Sequence, residues 1–325
     1  MKYARIVSTG MAFPERTLTN DEIARTLETS DEWIFTRTGI HQRQVANERE
    51  ATSDLAAAAG LQALDRAGLD PKDLQALIVA TITPDHPFPA SACLAQVKIG
   101  AKNAMAFDIS AACSGYVYAL SIADAYIRAG LYENVLIIGS EALTKTLNWQ
   151  DRGSCVLFGD GAGATLVRAS DRPGVRYLEM GSDGNYAELI YIPAGGTRFP
   201  TTPETVAQNR HFTCLDGREV YKLAVRYAIE LTENTLKKNN LTIDDIDLLV
   251  PHQANQRITD AVQERIGIPK EKVWSNIERF GNTSAATIPI CLHEAVEQCR
   301  LVSGMKVLMV AFGAGFTWGS ALVDW

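Results

Sequence analysis

The segment Leu69–Val79 reads LDPKDLQALIV, and the segment Leu241–Pro251 reads LTIDDIDLLVP. In both, an acidic turn leads into an apolar run of the kind that forms buried strands. The two segments lie 172 positions apart (241 − 69), and the same shift places Asn134–Gly139, NVLIIG, on Lys306–Ala311, KVLMVA. Because two distant pairs of segments match in one register, we infer that the chain consists of two related halves.

Helix-like patterns precede these strands. Apolar residues recur three and four positions apart in Ser53–Ala67 and Glu219–Lys238, and a second helix-like segment in each half covers Ser114–Ala129 and Ala285–Cys299. Each half is therefore expected to run strand, helix, strand, helix, strand. Near-continuous apolar strands between helices imply sheets that are covered on both faces. The predicted fold class is α/β, with two pseudo-symmetric halves stacked as five layers, α-β-α-β-α.

The join between the halves is expected in the polar segment Ala169–Gly174, which contains a proline. This gives an N-terminal half over 1–171 and a C-terminal half over 172–325. The segment Gly195–Gly217 shows no periodicity and is long for an unstructured loop. Loops of that length are usually functional lids or flexible excursions.

The composition limits the classes of function. The 325 residues are 46% hydrophobic and 21% charged, with a formal net charge of −7. These values are typical of a soluble globular protein and exclude disorder, collagen and a coiled coil. The sequence has no long basic run for nucleic acid, and its longest uncharged stretch, Val307–Val323, is interrupted by glycines and too short to span a bilayer. We therefore expect neither nucleic acid nor a membrane as a partner.

The cysteines and histidines indicate neither disulfides nor a metal. The six cysteines form no C-x-x-C pair, and the apolar run near the N-terminus is too small for a secretion signal, so we expect reduced thiols in the cytoplasm. The histidines, His41, His86, His211, His252 and His293, are scattered along the chain, which predicts no metal site.

Cys113 lies where an apolar run, Ala104–Phe107, turns into a helix. At such a corner, backbone N–H groups and the helix dipole stabilise an anion, so we expect a lowered thiol pKa and a candidate nucleophile. The equivalent position in the second half is Ala285. The alternative is a small buried hydrophobic Cys without a catalytic role.

Two polar residues occupy related corners in the second half. His252 follows the strand-like segment that ends at Pro251, at the carboxyl end where open α/β sheets bind ligands. Asn282 lies at the helix-entry corner that mirrors the segment around Cys113. Taken singly, these residues are also explained as a structural histidine and a helix N-cap. Together with Cys113, they predict a nucleophile with two neutral hydrogen-bonding partners in a shared cleft.

Two glycine clusters are candidates for a phosphate loop or a functional turn. Gly159–Gly163 is followed by the strand-like segment Ala164–Arg168 and not by a helix, which argues against a dinucleotide site. The turn at Gly313, Ala314 and Gly315 follows an apolar strand, and turns of this kind can direct a backbone N–H into a cleft as an oxyanion donor.

Six motifs occur together along the chain. They are Ser30–Ile34 with Thr36–Ile40 (SDEWI, TRTGI), Ala111–Gly115 (AACSG), Asp151–Gly153 with Phe158–Gly163 (DRG, FGDGAG), His252–Asn255 (HQAN), Gly281–Ser284 (GNTS) and Gly315–Ser320 (GFTWGS). These motifs, in this order, resemble those of the thiolase-fold condensing enzymes, and specifically those of the β-ketoacyl-acyl-carrier-protein synthase III family, which starts type II fatty-acid synthesis. The resemblance covers essentially the whole chain.

The resemblance implies a reaction in two half-reactions. Cys113 attacks the thioester of an acyl-CoA primer, with acetyl-CoA as the expected primer, and CoA leaves. Malonyl-acyl-carrier protein then loses CO2, and its carbanion attacks the acyl-cysteine. His252 and Asn282 would stabilise the enolate, while the backbone N–H groups of Cys113 and of the Gly313-Ala314 turn would hold the other oxyanion.

The resemblance also implies binding residues but no cofactor beyond the acyl-CoA substrate. Trp33 and Arg152 would stack on the two faces of the CoA adenine, and Arg37 would contact a CoA phosphate. The alternatives are a partly buried core Trp and arginines in surface ion pairs. Phe316, near the glycine turn, would belong to the acyl pocket and help exclude water, and Phe88 would reach across a homodimer to shape the neighbouring acyl pocket.

Acyl-carrier protein is strongly acidic, so a chain of net charge −7 needs a local basic face to bind it. Arg257 and Arg265 are eight positions apart and share one helical face, and the resemblance adds Lys222 from another helix. The alternative is an ordinary solvated helix face, since Glu264 adjoins Arg265.

The same residues are compatible with two other functions. One is a condensing enzyme or acyltransferase of secondary metabolism that uses the same Cys, His and Asn on a different acceptor. The other is a non-catalytic scaffold, which the presence of Cys113, His252 and Asn282 argues against. A cysteine protease also uses Cys, His and Asn, but the duplicated α/β pattern does not fit one. The Gly195–Gly217 loop is expected to border the acyl tunnel, which leaves the chain length and branching of the primer open.

Overall fold

The computed structural model describes residues 2–325. The strands are β1 (Tyr3–Ala12), β2 (Thr17–Thr19), β3 (Gln42–Gln44), β4 (Ala76–Ala80), β5 (Met105–Ile109), β6 (Asn134–Glu141), β7 (Gly161–Ser170), β8 (Val175–Ser182), β9 (Ile190–Tyr191), β10 (Cys214–Leu215), β11 (Leu248–Pro251), β12 (Lys306–Gly313) and β13 (Thr317–Asp324). The α-helices are α1 (Asn20–Ile23), α2 (Asp31–Thr38), α3 (Thr52–Arg66), α4 (Ser91–Ile99), α5 (Gly115–Arg128), α6 (Pro203–Ala207), α7 (Gly217–Lys238), α8 (Gln256–Ile266), α9 (Ile277–Phe280) and α10 (Thr287–Glu297).

Two sheets form the framework. The first has the strand order β1-β7-β6-β4-β5, and the second has the order β11-β12-β13-β8. Their strand registers differ by the shift seen in the sequence, because Ala76 of β4 pairs with Val135 of β6 while Leu248 of β11 pairs with Val307 of β12. The predicted duplication is therefore confirmed at the level of single residue pairs.

The second sheet lacks a counterpart of β5. The shift of 172 places β5 on 277–281, but that segment forms the short helix α9. In its place, Val273 makes an isolated parallel bridge to Leu249, and the Trp274 N–H donates to the Leu249 carbonyl at 2.9 Å. The order strand, helix, strand, helix, strand that was expected for each half is present, as β1, α3, β4, α5 and β6 in the first half and β8, α7, β11, α10 and β12 in the second.

Helices cover each sheet on both faces. The pair α5 and α10 lies between the sheets, where its side chains join both sheets in one cluster that includes Tyr116, Leu120, Ile137, Val250, Ile288, Leu292 and Met309. The outer pair on the first sheet is α3 and α4, and the outer pair on the second is α7 and α8. Burying each large apolar side chain contributes about 1.5–3 kcal/mol. The five-layer α-β-α-β-α prediction is confirmed.

Two segments without a periodic pattern, the join between the halves and the long loop, compare differently with the expectations. β7 ends at Ser170 and β8 begins at Val175, while the division of the chain at 171 and 172 stays a prediction. The segment 195–217 is not unstructured, because it contains α6, which Thr202 caps, and β10, which pairs with β9. These elements are too short for a periodic pattern to reveal them.

Candidate active site

A cavity of about 380 Å³ lies where the two halves meet. Cys113, His252 and Asn282 all line it, so the structure brings the three predicted residues together. The rest of the lining is mostly apolar, and among residues 2–325 it includes no Lys, Arg, Asp or Glu. The segments around β9 and β10 contribute Ile190, Thr213 and Leu215, which places the long loop at the cavity as expected.

Cys113 lies at the corner between β5 and α5, as predicted. A short 3-10 turn over Ala112–Ser114 leads into the helix, and Ala112 adopts a φ of +46°. Ser284, the equivalent residue in the second half, has a φ of +49°. Positive φ is unfavourable for residues with a Cβ, and such strain is found chiefly at functional sites. The corner turns the half-buried Cys113 into the cavity.

Burial dominates the pKa of the Cys113 thiol. The pKa is raised to about 12 because burial disfavours the thiolate; Ser284 opposes the rise, and the Glu141 charge adds to it. The expectation of a lowered pKa is therefore wrong for the free enzyme. A helix N-terminus contributes about 0.3–1 kcal/mol, which is less than one pKa unit, whereas full burial shifts a pKa by up to about 3–5 units.

His252 follows β11 and is neutral. Its backbone N–H donates to the Val310 carbonyl at 2.7 Å, and its ring packs edge-on against Phe312 at 5.2 Å between centroids. Neither ring nitrogen has a hydrogen-bond partner among residues 2–325, although the residue is 2% exposed. Burial lowers the pKa of the imidazole to about 3. One ring N–H is therefore available to a group in the cavity.

Asn282 is held by the backbone on both sides. Its N–H donates to the Leu157 carbonyl at 2.9 Å, and its carbonyl accepts from the Gly159 N–H at 3.0 Å. The side-chain oxygen accepts from the Ser284 N–H at 2.8 Å, which fixes the orientation of the amide. The NH2 group of Asn282 is the part of the side chain left to donate into the cavity.

The glycine turn approaches the nucleophile closely. A Cβ at Gly313 would lie 2.7 Å from the backbone N of Cys113, so only glycine fits without displacing that amide. Thr317, at the start of β13, donates from Oγ1 to the Ala111 carbonyl at 2.9 Å and lies 3.2 Å from the Ser114 hydroxyl. Thr317 thus ties the turn to the Cys113 corner, a contact that the sequence analysis missed because it joins residues about 200 positions apart.

Family models of 3-oxoacyl-[acyl-carrier-protein] synthase III match residues 107–184, and the C-terminal model of the same enzyme matches residues 236–325. A curated β-ketoacyl-[acyl-carrier-protein] synthase III from Roseiflexus sp. (strain RS-1) is 51% identical, covering 99% of this chain and 98% of the relative. The chain belongs to the β-ketoacyl-[acyl-carrier-protein] synthase III family.

Solved structures of β-ketoacyl-[acyl-carrier-protein] synthase III share the fold over the full length. The enzyme from Aquifex aeolicus VF5 has a TM-score of 0.92 at 43% identity and covers 99% of this chain and 100% of its own. The enzyme from Thermus thermophilus has a TM-score of 0.91 at 44% identity and covers 99% of each chain. The thiolase-type fold inferred from the motifs is therefore shown.

Two residues that the synthase III resemblance assigned to the acyl pocket do not line the cavity. Phe316 is 1% exposed and stacks behind Phe312, with 6.3 Å between ring centroids, so Phe312 separates it from the cavity. Phe316 therefore packs against Phe312, and its place in the acyl pocket stays a prediction. Phe88 is 85% exposed on the surface. Its role across a dimer stays a prediction.

The residues that the synthase III resemblance assigned to CoA form one surface cluster. The guanidinium carbon of Arg37 lies 4.3 Å from the Trp33 ring centroid, and that of Arg152 lies 4.4 Å from it. Arg152 also donates to the Glu28 carbonyl at 2.5 Å. Arg152 therefore covers the Trp33 ring directly, with no space for a base between the two side chains.

The residues assigned to docking an acyl-carrier protein are exposed on α7 and α8. Arg257 lies 5.9 Å from the Tyr221 ring, which lines the cavity, so it lies at the cavity mouth. Lys222 pairs with Glu219 at 2.6 Å. Arg265 lies at the other end of α8, about 12 Å along the helix axis from Arg257.

Glu141 is a charged residue beside the site that the sequence analysis missed. It ends β6, is 0% exposed, and contributes to the raised pKa of Cys113. A signal was present, because the shift of 172 places Glu141 on Gly313 of the glycine turn. A carboxylate at one corner and a glycine at its counterpart mark a chemical difference between the halves.

Of residues 2–325, no group of three or more His, Cys, Asp or Glu side chains is placed to hold a metal, and no helix is long and apolar enough to cross a membrane.

Proposed function

We propose that this chain condenses an acyl-CoA primer, acetyl-CoA by preference, with malonyl-acyl-carrier protein to give β-ketoacyl-acyl-carrier protein, CoA and CO2. The observation that carries the proposal is the convergence of Cys113, His252 and Asn282 on one mostly apolar cavity. The nucleophile faces two neutral donors, as the two half-reactions require. The names of relatives about 50% identical over the full chain support the same reaction.

In the first half-reaction, the sulfur of Cys113 bonds to the thioester carbonyl carbon of the primer. The carbonyl oxygen becomes an oxyanion, and the N–H groups of Cys113 and of the Gly313-Ala314 turn hold it. The intermediate collapses with loss of CoA, which leaves an acyl-cysteine. The close approach of Gly313 to Cys113 supports this assignment, since it places two backbone segments around one oxygen position.

In the second half-reaction, His252 and the NH2 group of Asn282 donate to the thioester oxygen of malonyl-acyl-carrier protein. Negative charge moves to this oxygen as CO2 leaves, and the resulting carbanion attacks the acyl-cysteine. A neutral imidazole suits this role, because the low pKa of His252 keeps its ring uncharged while one N–H donates. Among the described residues, the lining has no cation that would hold the malonyl carboxylate in place and oppose decarboxylation.

Trp33, Arg37 and Arg152 form the proposed CoA site, and we expect Trp33→Ala to raise KM for acetyl-CoA by about 10-fold through loss of base stacking. The acylation rate at saturating substrate should change little, because Trp33 lies outside the cavity. Initial rates of CoA release measure both quantities. Acetyl-N-acetylcysteamine, which lacks the nucleotide, is the control: an equal rise in its KM would show that Trp33 acts on the site's structure and not on adenine.

Lys222, Arg257 and Arg265 form the proposed docking face, and we expect Arg257→Glu to raise KM for malonyl-acyl-carrier protein by about 10-fold at low salt. Acylation of Cys113 by acetyl-CoA should stay within about twofold, because this step involves no carrier. Arg172→Glu, an equal charge change at the exposed turn between β7 and β8, is the matched control. Equal loss of both half-reactions in Arg257→Glu would contradict the docking role.

The proposed assembly is a cytoplasmic homodimer that needs no cofactor beyond its substrates. Its support is the exposed rim of the first sheet, where β5 is an edge strand and Val97 and Phe88 are 79% and 85% exposed. In the dimer, Phe88 would enter the acyl pocket of the partner. Sedimentation of the wild type and of Phe88→Glu would measure the oligomeric state.

Intact-protein mass spectrometry tests the function. Incubation with acetyl-CoA and with longer or branched acyl-CoAs should give an acyl adduct of the protein, which a chase with malonyl-acyl-carrier protein converts into β-ketoacyl-acyl-carrier protein. The primer that reacts fastest defines the primer class. An adduct that persists in the chase would indicate a different acceptor, and no adduct with any primer would refute the catalytic assignment.

A further inference from the structure

Gln253 is a buried polar side chain that directly follows His252 in the chain. It is 0% exposed and, unlike His252, does not line the cavity. Its Oε1 accepts from the backbone N–H groups of Asn276 and Ile277, each at 2.9 Å, and from the Ser275 hydroxyl at 3.0 Å. Because three donors share this one oxygen, the side chain fixes the start of α9 to the segment that follows β11.

The amide nitrogen of Gln253 completes the connection. Nε2 donates to the Trp274 carbonyl at 3.3 Å and to the Cys291 sulfur of α10 at 2.9 Å. The Cys291 thiol in turn donates to the side-chain oxygen of Asn276 at 3.2 Å. The amide therefore uses its acceptor and its donor atoms, and the two backbone N–H groups that face Oε1 determine its orientation.

The first half makes the equivalent connection with its backbone. There, β4 and β5 form a parallel ladder of five residue pairs, and the Thr81 N–H adds a bond to the Ile109 carbonyl at 3.1 Å. This ladder fixes the corner of Cys113 relative to the end of β4. The shift of 172 places Gln253 on Thr81, so Gln253 occupies the position at which the first half makes its last backbone bond.

The second half lacks this ladder, because α9 takes the place of a strand. The Trp274 N–H donates to the Leu249 carbonyl at 2.9 Å, and the backbone contacts between the two segments end there. Among residues 2–325, no backbone hydrogen bond joins 250–256 to 275–282. The side-chain bonds of Gln253 therefore do the work of the missing ladder.

The corner of Asn282 is consequently held from two sides. On one side, its backbone is bonded to Leu157 and Gly159 of the first half. On the other side, α9 is a single turn that ends two residues before Asn282, and Gln253 holds the start of that turn. The bonds to the first half place Asn282 on the side of the nucleophile, whereas Gln253 places it relative to His252.

We propose that Gln253 is a positioning residue that sets the spacing between the His252 and Asn282 donors. With its bonds in place, the two donors converge on one thioester oxygen. Without them, α9 and Asn282 follow the first half alone, and the donors no longer meet at one point. This inference rests on the proposed function and deepens its second half-reaction, in which a displacement of about 1 Å costs up to about 10²-fold in rate.

The test is single-turnover release of CO2 from malonyl-acyl-carrier protein by the pre-acylated variant Gln253→Met. Methionine keeps the length of the side chain and removes its hydrogen bonds. At saturating carrier, we expect the rate to fall by about 10- to 10²-fold. Acylation of Cys113 by acetyl-CoA should stay within about twofold, because the ladder between β4 and β5 is unchanged.

A double-mutant cycle separates positioning from general damage to the fold. If Gln253 acts by placing Asn282, then Gln253→Met should lower CO2 release by less than about threefold in an Asn282→Ala background. A loss of the same factor in both backgrounds would show a merely structural role and would overturn the inference.

Gln75→Met is the matched control. The Oε1 of Gln75 also accepts from two successive backbone N–H groups, those of Glu133 at 2.6 Å and Asn134 at 3.0 Å. Gln75 precedes β4, at the end of the first sheet that lies away from the cavity. Both half-reactions of Gln75→Met should therefore match those of the wild type, and a selective loss of CO2 release in this variant as well would contradict the role of Gln253.

Two further results separate the inference from folding and from the proposed function. Ser275→Ala removes one of the three donors to Oε1 at an exposed position and should lower CO2 release by about threefold. If Gln253→Met does not fold, an unchanged rate in Ser275→Ala overturns the inference. If Asn282→Ala itself loses no activity, the proposed function of Asn282 fails; if Asn282→Ala is slow and Gln253→Met is as fast as the wild type, only the role of Gln253 is wrong.

Discussion

Cys113→Ala is expected to form no acyl adduct with any acyl-CoA and to lose at least about 10⁴-fold in overall condensation, as removal of a covalent nucleophile does elsewhere. The loss should be confined to steps that need the sulfur. Decarboxylation of malonyl-acyl-carrier protein depends on His252 and Asn282, so it should continue and release CO2 without a condensed product. Intact mass and CO2 release, measured on one preparation, check both parts.

The fold should tolerate this substitution. The equivalent corner of the second half carries Ala285, and the residue before each of the two has nearly the same backbone, with φ +46° and φ +49°. We therefore expect the melting temperature to change by less than about 3 °C, which corresponds to about 1 kcal/mol in a chain of this size. A cooperative transition at the wild-type temperature with an adduct still present would assign the nucleophile to another residue.

His252→Ala is expected to slow condensation by about 10²–10³-fold, the usual cost of removing one donor from an oxyanion site. Acylation of Cys113 should stay within a few-fold of the wild type, because His252 is proposed to act on the malonyl thioester. Asn282→Ala should show the same division. The measurement is the rate of CoA release in single turnover, compared with the rate of β-ketoacyl product formation by the pre-acylated enzyme.

The pH dependence of condensation gives a second readout for His252. Its folded-state pKa is depressed to about 3, so the imidazole is already neutral above that pH, and its donor does not titrate between about pH 5 and pH 8. Decarboxylation should therefore show no inflection from this residue in that range. An inflection near pH 6.5 that disappears in His252→Ala would mean that the ring is charged in the working enzyme.

Much of the fold followed from local pattern. The apolar runs at Leu77–Val79 and Leu248–Val250 predict the strands β4 and β11. Because the next matched strand follows at the same distance in both halves, the sequence also predicts that the strands pair in the same register. The helices over Ser53–Ala67 and Glu219–Lys238 were predicted to within two residues at each end, because their apolar faces repeat over several turns. A periodic pattern can be recognised only over several turns. It therefore does not predict α6 and β10, which have five and two residues.

The site was predictable as a set of residues but not as an electrostatic environment. Cys113, His252 and Asn282 were found because each differs in chemistry from its counterpart in the other half. The pKa of Cys113 was predicted in the wrong direction, because enclosure by the second half and the charge of Glu141 are properties of tertiary packing. Arg152 lying on Trp33, and Phe312 lying in front of Phe316, likewise depend on side-chain contacts between distant segments.

The strand order of the second sheet bears on when a newly made chain becomes active. Within the described residues, β8 pairs with β13 alone, so its partner is synthesised about 135 residues later. Contacts so distant in sequence slow folding and leave strand edges exposed to aggregation, and a ribosome adding about 5–20 residues per second leaves β8 unpaired for several seconds or more. Thr317 of β13 ties the glycine turn to the corner of Cys113. In a nascent chain, Cys113 is therefore synthesised long before the glycine turn and Thr317 that complete its site. We therefore expect a lag between the synthesis of the chain and its activity.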